Sequence, residues 1–423
     1  MTAKPVRTSP PADLVTRRAA SLGPTYKAFY DKPIEIVEAH GVWMFDQTGA
    51  KFLDAYNNVP VVGHSHPHVV EALASQAARL NTHTRYLHEG IVDFADRILA
   101  TMPREIGHVI FTCTGSEAND LAYRVALANT GGEGFIVSEH AYHGNTLATS
   151  ALSPSAGTSL VGRNVYMVPA PEPKSEASFA DGVADAISRM ERDGVRLAGM
   201  IADTVLSSDG IFVEPHGFLR EAVELVRAKG GVFIADEVQP GHGRLGAAMW
   251  GFDAQGIVPD IVTMGKPMGN GFPLAAVAVR PELMVSFREI SGYFNTFGGN
   301  PVAAAVGNAV LDVLESEALL PSAERVGAYF RAQLKDLASR HRTITSVRGL
   351  GLFIGVELDD AIVNVGAKVS NEMRERGVLV GTAGKQGNCL KIRPPLVFKE
   401  AHVDLFIEQF ENVLTQELPS WQV

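Results

Sequence analysis

The stretch "DIVTMGKPMGNGFPLAAV", residues 260–277, places a single lysine, Lys266, between a short apolar run and a turn rich in glycine and proline. The run "DIVTM" predicts a strand buried on both faces, and Lys266 then follows the carboxyl end of that strand. A lysine is among the costliest side chains to remove from water. The placement raises the question of what stabilises the amine there.

Five other short apolar runs resemble "DIVTM". They are "HVIFT", "GFIVS", "NVYMV", "AGMIAD" and "GVFIAD", and segments of helical periodicity separate them. Buried strands alternating with helices predict an α/β fold with a mostly parallel central sheet and helices on both faces.

The two ends of the chain have a different pattern. The segments "GVWMF" and "KFLDAY" predict a small antiparallel sheet. Near the C-terminus "GLGLFIGVEL", "GVLVG" and "CLKIRPPL", among helical stretches, predict a smaller α+β domain. We therefore expect an N-terminal arm over residues 1–33, the N-terminal part of a small domain over 34–70, a large domain over 71–305, and a C-terminal small domain over 306–423.

The composition is that of a soluble globular enzyme, since 46% of the 423 residues are hydrophobic and 20% are charged. The net charge of −10 argues against a nucleic-acid-binding surface. No apolar run approaches the roughly 18 residues of a membrane span. The N-terminus lacks the apolar core of a signal peptide, so we expect a cytoplasmic protein. The chain has two cysteines, Cys113 and Cys389, which are too few for a disulfide framework. No cluster of Cys and His has the spacing of metal ligands, so we expect no metal site.

Reactive groups follow three of the predicted strands, at the edge where parallel sheets bind ligands. The run "GVFIAD" ends at Asp236 and is followed by Glu237, while "DIVTM" leads to Lys266. The run "HVIFT" leads into "CTGSEAND", in which "TGSE" has the spacing of a capping box and Gly115 and Ser116 open a helix. The N-terminus of such a helix is a ready anion site.

Each feature alone has an ordinary structural interpretation. An acid pair after a strand is commonly a helix cap or a salt bridge, a lysine beside glycines is usually solvated, and "TGSEAND" is equally typical of a plain helix start. Together they provide what a cofactor with an aldehyde, a pyridine ring and a phosphate requires. The lysine forms the imine, the acid partners the ring nitrogen, and the N–H donors hold the phosphate.

The motifs "TGSEAN", "ADEVQPGHGRLG", "MGKPMGNGFPLAAV" and "NTFGGNPVA" resemble those of the class III, fold-type I pyridoxal-phosphate enzymes, with similarity from about residue 20 to the C-terminus. The resemblance implies a homodimer with shared active sites and no metal. It also implies these roles: Lys266 carries the imine with pyridoxal 5′-phosphate, Asp236 pairs with the pyridine nitrogen, Gln239 lies near the ring hydroxyl, Tyr142 stacks on the ring with His143 adjacent, Gly115 and Ser116 hold the phosphate, and Thr296 reaches the phosphate of the neighbouring subunit.

The reaction depends on residues around the cofactor. Many class III aminotransferases bind the carboxylate of 2-oxoglutarate with an arginine three residues before a Pro-Pro pair, and a glutamate masks that arginine when another amine is bound. In this chain Lys391 and Ser208 occupy those two positions. A lysine lacks the planar fork that grips a carboxylate. Both changes weaken the case for a 2-oxoglutarate-dependent aminotransferase.

A denser resemblance points to elimination. The segments "GPTYKAFYDKPIEIVEAHG", "VGHSHPHVVEA", "NTHTRYLHEGIVDFADRI" and "VRGLGLFIGVEL" are similar to ethanolamine-phosphate phospho-lyases and their phosphohydroxylysine-cleaving relatives. This resemblance implies that Lys266 removes a proton from the substrate carbon bearing nitrogen, that Asp236 keeps the pyridine ring protonated, and that the adjacent carbon loses phosphate. The products from O-phosphoethanolamine would be acetaldehyde, ammonia and phosphate.

A phosphate substrate needs cations beyond those that hold the cofactor. Our candidates are Arg18 and Lys27 on the N-terminal arm and Arg393 before the prolines. An equally plain interpretation is that Arg17, Arg18 and Lys27 form a solvated basic face.

Two other functions stay open at this point. The first is a class III aminotransferase that uses an amine or ω-amino acid with pyruvate and therefore needs no glutamate switch. The second is a cofactor-binding protein without catalysis, which the presence of both Lys266 and Asp236 disfavours. The sequence also leaves open whether the substrate carries a carboxylate.

Overall fold

The computed structural model describes residues 13–171 and 178–421. In chain order the strands of the described residues are β1 (Ile36–His40), β2 (Trp43–Asp46), β3 (Lys51–Asp54), β4 (His108–Thr112), β5 (Gly134–Ser138), β6 (Val165–Val168), β7 (Leu197–Asp203), β8 (Val232–Asp236), β9 (Ile261–Met264), β10 (Ala275–Val279), β11 (Ile344–Leu350), β12 (Phe353–Leu358), β13 (Val378–Leu379), β14 (Gly381–Ala383) and β15 (Cys389–Ile392). The helices are α1 (Leu14–Leu22), α2 (Pro67–Ala77), α3 (Glu89–Ala100), α4 (Gly115–Thr130), α5 (Leu147–Ala151), α6 (Phe179–Asp193), α7 (Phe218–Ala228), α8 (Gly251–Ala254), α9 (Pro281–Ile290), α10 (Pro301–Ser316), α11 (Leu319–Arg340), α12 (Val365–Glu375) and α13 (Glu400–Gln416).

The central sheet of the described residues has seven strands in the order β4-β10-β9-β8-β7-β5-β6. All six predicted strands are present, and β5 to β9 pair in parallel. The strand β10 was not among the predicted ones, and it is antiparallel to both β4 and β9. The link from β9 to β10 is too short to hold a crossover helix of a dozen or more residues, so the chain returns antiparallel. Because β10 is antiparallel to both of its neighbours, β4 and β9 run in the same direction.

Helices cover both faces of this sheet, as the apolar runs predict. On one face the strand side chains Phe135, Ile201, Ile234 and Val277 pack in one cluster with Leu121 and Val125 of α4 and Phe287 of α9. On the other face Ile136, Met200, Phe233 and Ala276 pack in a second cluster with Val183 of α6, Leu219 of α7 and Val306 of α10. Adjacent residues of each strand thus enter opposite clusters, which is the two-residue period of a strand buried on both sides.

One of the two smaller sheets joins the two ends of the chain, and the other is formed by C-terminal strands alone. Strands β1, β2 and β3 form the predicted antiparallel sheet, and β13 from the C-terminal region adds to β3 in parallel. Strands β11, β12, β15 and β14 form an antiparallel sheet. The limits of the four predicted segments stay a prediction, and residues 1–12 of the arm lie outside the described residues.

Across residues 13–171 and 178–421 no helix is long and apolar enough to cross a membrane. In the same residues no group of three or more His, Cys, Asp or Glu side chains could hold a metal ion.

Candidate active site

Strand register brings three polar side chains into one row at the carboxyl edge of the sheet. Asp203 at the end of β7 pairs with Asp236 at the end of β8. Asp236 in turn pairs with Thr263 of β9. Since β4 ends at the same edge, the start of α4 lies beside this row, which is where ligands of parallel sheets bind.

Lys266 begins a tight 3₁₀ turn, Lys266–Gly269, directly after β9 and Gly265. Its φ of +23° lies outside the regions that a residue with a side chain prefers, and such strain is common at functional sites. A Cβ at Gly265 would come within 3.3 Å of the Gly115 backbone nitrogen, so glycine lets the lysine turn pack closely on the start of α4. Burial lowers the pKa of the Lys266 amine, and the charge of Arg393 lowers it further, against the opposing effect of Asp236 and Asp203.

The start of α4 has the predicted capping box. The Thr114 hydroxyl accepts a hydrogen bond from the Glu117 backbone N–H at 3.2 Å, and the Glu117 carboxylate accepts from the Thr114 N–H at 3.1 Å. Gly115 and Ser116 belong to the first turn, whose N–H groups have no intrahelical acceptor. A Cβ at Gly115 would lie 2.9 Å from a Val238 methyl, so this cradle needs glycine. The helix therefore presents free donors to an anion, as predicted.

Asp236 is held by three hydrogen bonds. Its Oδ2 accepts from His143 Nδ1 at 2.7 Å and from Asn119 Nδ2 at 2.9 Å. Its Oδ1 accepts from the Val238 backbone N–H at 3.1 Å. Both His143 and Asp236 are less than 5% exposed. The carboxylate is thus oriented from three sides before any ligand binds.

The second acid after β8 has the ordinary structural role. The Glu237 carboxylate accepts from the N–H groups of Gly251 and Phe252 at 2.7 and 2.9 Å and from the Thr204 hydroxyl at 2.8 Å. Burial raises the pKa of Glu237 to about 8. Glu237 therefore caps the start of α8, whereas Asp236 faces the cavity.

Gln239 links the cofactor side of the site to Arg393. Its Nε2 donates to the Ser207 hydroxyl at 2.6 Å, and its Oε1 accepts from Arg393 Nη1. The guanidinium of Arg393 also lies 4.7 Å from the Tyr56 ring centre and 5.9 Å from that of Phe353. Gln239, which the sequence assigned to the cofactor, therefore contacts Arg393, which the sequence assigned to the substrate.

A cavity of about 130 Å³ joins these groups. It is lined by Gly115, Ser116, Asn119, Tyr142, His143, Gly144, Asp203, Asp236, Val238, Gln239 and Lys266. Seven of the eight residues predicted to bind the cofactor are in this set. Tyr142 is 42% exposed and forms the open side of the cavity.

Thr296 is the predicted cofactor residue that does not line this cavity. It is exposed, in the loop between α9 and α10. Its predicted contact with the phosphate in a neighbouring subunit stays a prediction.

The predicted substrate cations fall into two places. Arg18 and Lys27 line a separate cavity of about 330 Å³ whose wall includes Phe29 and Tyr56. The Tyr56 ring lies 4.7 Å from the Phe29 ring and 4.7 Å from the Arg393 guanidinium. Tyr56 therefore contacts both Arg393 and the wall of the cavity that the two arm cations line.

Arg393 is buried next to a second cation, Lys391. The two are 5% and 6% exposed, and both lie 5.9 Å from the Phe353 ring centre. Burial lowers the pKa of each, and the charge of Arg393 lowers the pKa of Lys391 further. Within the described residues neither side chain forms a salt bridge, and Arg393 Nε has no hydrogen-bond partner. The Asp203 carboxylate favours the charged form of both, but it forms no salt bridge with either, and buried charges without a salt bridge are costly, so this pair favours an anionic ligand.

Sequence reasoning missed four residues of this site: Asn119, Asp203, Thr263 and, as a buried cation, Lys391. A signal existed for Asp203, because "AGMIAD" ends in an acid just as "GVFIAD" does. Asn119 lies within the quoted motif "TGSEAND". Burial of Lys391 depends on contacts between distant segments, which one sequence does not reveal.

These groups fit the predicted pyridoxal phosphate. The cavity brings together an amine, a first helical turn with free N–H donors, and a carboxylate already oriented by three donors. Lys266 would carry the aldehyde, Gly115 and Ser116 the phosphate, and Asp236 the ring nitrogen.

Comparison with known proteins agrees with this geometry. Residues 25–414 match the family described as aminotransferase class-III. A solved phospholyase from Arthrobacter in complex with phosphoethanolamine is 38% identical, with a TM-score of 0.92, 96% of this chain and 100% of that chain covered. The alanine–glyoxylate aminotransferase 2 homolog 2, mitochondrial, of Arabidopsis thaliana is 38% identical over 97% of this chain and 89% of its own. The ethanolamine-phosphate phospho-lyase homolog 1 of Caenorhabditis elegans is 36% identical over 95% and 93%.

Proposed function

The chain belongs to the class III aminotransferase family and uses pyridoxal phosphate, and we propose that it is a phospho-lyase acting on a small phosphorylated amine, with O-phosphoethanolamine as the first candidate. The reaction consumes one water and yields acetaldehyde, ammonia and phosphate. Both a phospho-lyase relative and a solved phospholyase with phosphoethanolamine support this choice.

The observation that carries the proposal is the buried cation pair of Arg393 and Lys391. Burial lowers the pKa of both side chains, and repulsion by Arg393 lowers the pKa of Lys391 further. No salt bridge among the described residues offsets this, so a compact ligand with two negative charges would restore the charged form of both. A phosphate monoester is such a ligand. Arginine offers it a planar fork and lysine a point charge.

Lys266 is the group that moves the proton. When bound, pyridoxal phosphate supplies an aldehyde that takes up the substrate amine and a ring that withdraws electrons from the neighbouring carbon. Burial lowers the pKa of Lys266, so its Nζ is more often neutral and able to accept the proton from that carbon. Asp236, oriented by His143 and Asn119, holds the ring nitrogen.

The leaving phosphate would meet Arg393 and Lys391, while Gln239 keeps the guanidinium in place. Arg18 and Lys27 would attract the anion at the separate cavity of about 330 Å³ that they line. This local concentration of positive charge is needed because the whole chain carries a net charge of −10.

An aminotransferase is the second candidate. The Arabidopsis thaliana relative is an alanine–glyoxylate aminotransferase homologue at 38% identity, as close as the solved phospholyase. Such an enzyme would use an amine or ω-amino acid donor with a keto acid such as pyruvate, and the cation pair would then bind a carboxylate.

The test is to supply O-phosphoethanolamine without any keto acid and to follow phosphate and acetaldehyde. Continuous release of both in equal amounts is the expected result. A phosphate-free reaction that proceeds only when a keto acid is added would instead establish the aminotransferase.

Two further parts of the proposal concern the protein's setting. We propose a homodimer in which Thr296 of each subunit serves the other's cofactor phosphate, and a cytoplasmic location. Exposed aromatic side chains near Thr296, Phe294 at 47% and Phe297 at 69%, suit burial against a second copy. Sedimentation of the purified protein and fractionation of cells test the two statements separately.

A further inference from the structure

Asn119 lies inside the cofactor cavity and uses its amide for three hydrogen bonds. Its Nδ2 donates to the Asp236 carboxylate at 2.9 Å and to the His143 carbonyl at 2.8 Å. Its Oδ1 accepts from the Thr263 hydroxyl at 2.6 Å. All four residues are less than 5% exposed, so water does not compete for these bonds.

The Thr263 hydroxyl fixes which way the amide of Asn119 points. Both partners of Nδ2 are acceptors only, a carboxylate and a carbonyl, so the amide nitrogen must face them. The amide oxygen then faces Thr263, whose hydroxyl is the one member of the group able to donate to it. The network has a single consistent arrangement, and it holds Oδ2 of Asp236 in a fixed position beside the cavity.

The same helix serves both ends of the cofactor cavity. Gly115 and Ser116 form the first turn of α4, and Asn119 follows Gly115 by four residues, one turn further along the same face. The helix thereby fixes the separation between the N–H donors for a phosphate and the carboxylate for a ring nitrogen. One rigid helix therefore holds both the groups for the phosphate and the residue that orients the carboxylate for the ring nitrogen.

We propose that Asn119 is a positioning residue: it directs the Asp236 carboxylate at the cofactor's ring nitrogen, and Thr263 holds the amide in the required orientation. Asn119 and His143 occupy Oδ2, whereas Oδ1 accepts a single hydrogen bond and so keeps acceptor capacity for a ligand in the cavity that Asp236 lines. This role is the same for elimination and for amino transfer, so it does not depend on the proposed reaction.

The test measures how much the ring nitrogen contributes to cofactor affinity, apart from the rest of the cofactor. The full-length chain, stripped of cofactor, is titrated with pyridoxal phosphate and with an analogue in which carbon replaces the ring nitrogen. In Asn119→Leu the affinity for pyridoxal phosphate should fall about tenfold to a hundredfold, the size expected when a hydrogen bond to a charged group is lost. The affinity for the analogue should change less than about threefold, because Asp236 has no N–H to receive there.

Thr263 supplies the second pair of variants. Thr263→Val keeps the shape and removes only the hydroxyl, so the preference for pyridoxal phosphate over the analogue should fall by about threefold to tenfold. Thr263→Ser keeps the hydroxyl and should keep the preference. This pair decides the matter even if Asn119→Leu does not fold.

Two results would overturn the proposal. Equal weakening of both ligands in Asn119→Leu would mean that Asn119 only supports the fold of the cavity. An unchanged preference in Thr263→Val, with the protein folded by circular dichroism, would mean that the amide needs no orienting donor.

Discussion

The two ends of the active site differ in how far the hydrogen bonds of their buried charged groups, Asp236 and Arg393, are satisfied by the protein. At the ring end the Asp236 carboxylate accepts three hydrogen bonds from protein donors. At the other end Arg393 is as deeply buried, yet among the described residues its Nε has no partner, and its Nη1 donates to Gln239, not to a carboxylate. The protein orients the Asp236 carboxylate by itself, whereas the Arg393 guanidinium keeps an Nε–H that a ligand can pair with.

This difference separates a resident group from a passing one. A cofactor that stays bound benefits from a fully prepared site, because no reorganisation follows. A substrate anion must enter and leave, and buried unpaired donors supply the free energy for its entry. The predictions below test that division.

Lys266 lies between the two ends, and its removal should have the largest effect. Lys266→Ala should lower kcat by at least about a thousandfold, because proton transfer at the substrate carbon loses its base. Turnover of O-phosphoethanolamine under saturating cofactor measures it. Lys229→Ala, which changes an exposed lysine paired with Glu191, is the control and should keep full activity. Turnover of Lys266→Ala within tenfold of the unchanged chain would contradict the assignment.

Arg393→Ala should damage the substrate end alone. We expect KM for O-phosphoethanolamine to rise about tenfold to a hundredfold, because charge-assisted hydrogen bonds to the phosphate are lost. Cofactor affinity should stay within about threefold. Arg393→Lys should fall between the two, since it keeps the charge and loses the fork.

The control for Arg393 is Arg340→Ala, an exposed arginine that pairs with Glu411. If Arg393→Ala released the cofactor and left KM unchanged, the assignment of Arg393 to the substrate end would be wrong.

Gln239 touches both ends, so its effect should be smaller and shared. Gln239→Leu removes the bonds to Ser207 and Arg393. We expect KM and the dissociation constant of the cofactor each to rise about fivefold, the size of a neutral hydrogen bond. Parallel measurement of the two constants decides it. A change in only one of them would place Gln239 at one end and not between them.

His242 shows that an unpaired buried group is not always a ligand site. Both its ring nitrogens lack partners, and the ring packs against Trp250 at 5.0 Å, away from the cofactor cavity lining. Burial lowers the pKa of His242 from 6.5 to about 3. Between about pH 6.5 and pH 3, therefore, His242 is protonated in the unfolded chain and neutral in the folded chain. Stability is fully present above pH 6.5 and falls as the pH drops towards 3.

His242→Phe should weaken this pH dependence and leave turnover unchanged. The loss at about pH 5 attributable to the histidine is roughly 2 kcal/mol. The measurement compares Tm of the two proteins at about pH 7.5 and about pH 5. The positive φ of residue 242 adds a strain that does not vary with pH, so the difference between the two pH values is the readout. Equal drops in Tm would contradict the account.

The sequence predicted most of the fold because the fold rests on local patterns. The positions of six strands, the turn at Lys266 and the capping box at Thr114 each follow from a few neighbouring residues, although the edge strands β4 and β6 are only partly buried. The direction of β10 did not follow, because the alanine-rich "AAVAV" says little about its partners. Pairing partners are a property of the sheet, not of the segment.

The site was predicted unevenly for the same reason. Lys266, Asp236 and the Gly115 turn carry recognisable motifs, and the structure brings them together around one cavity. The contact between Gln239 and Arg393 joins residues 154 apart in the chain, and Tyr56 contacts Arg393 from the N-terminal region. Such contacts join segments that are distant in sequence, so no local pattern could indicate them.

The most direct test of the central claim counts phosphate released per active site from excess O-phosphoethanolamine in the absence of keto acid. We predict many phosphates per site, with the absorbance of the bound cofactor returning to its starting spectrum when the substrate is exhausted. No phosphate, with the cofactor left in its amine form after at most one equivalent of donor, would contradict the account. The buried cation pair would then be a carboxylate site of an aminotransferase.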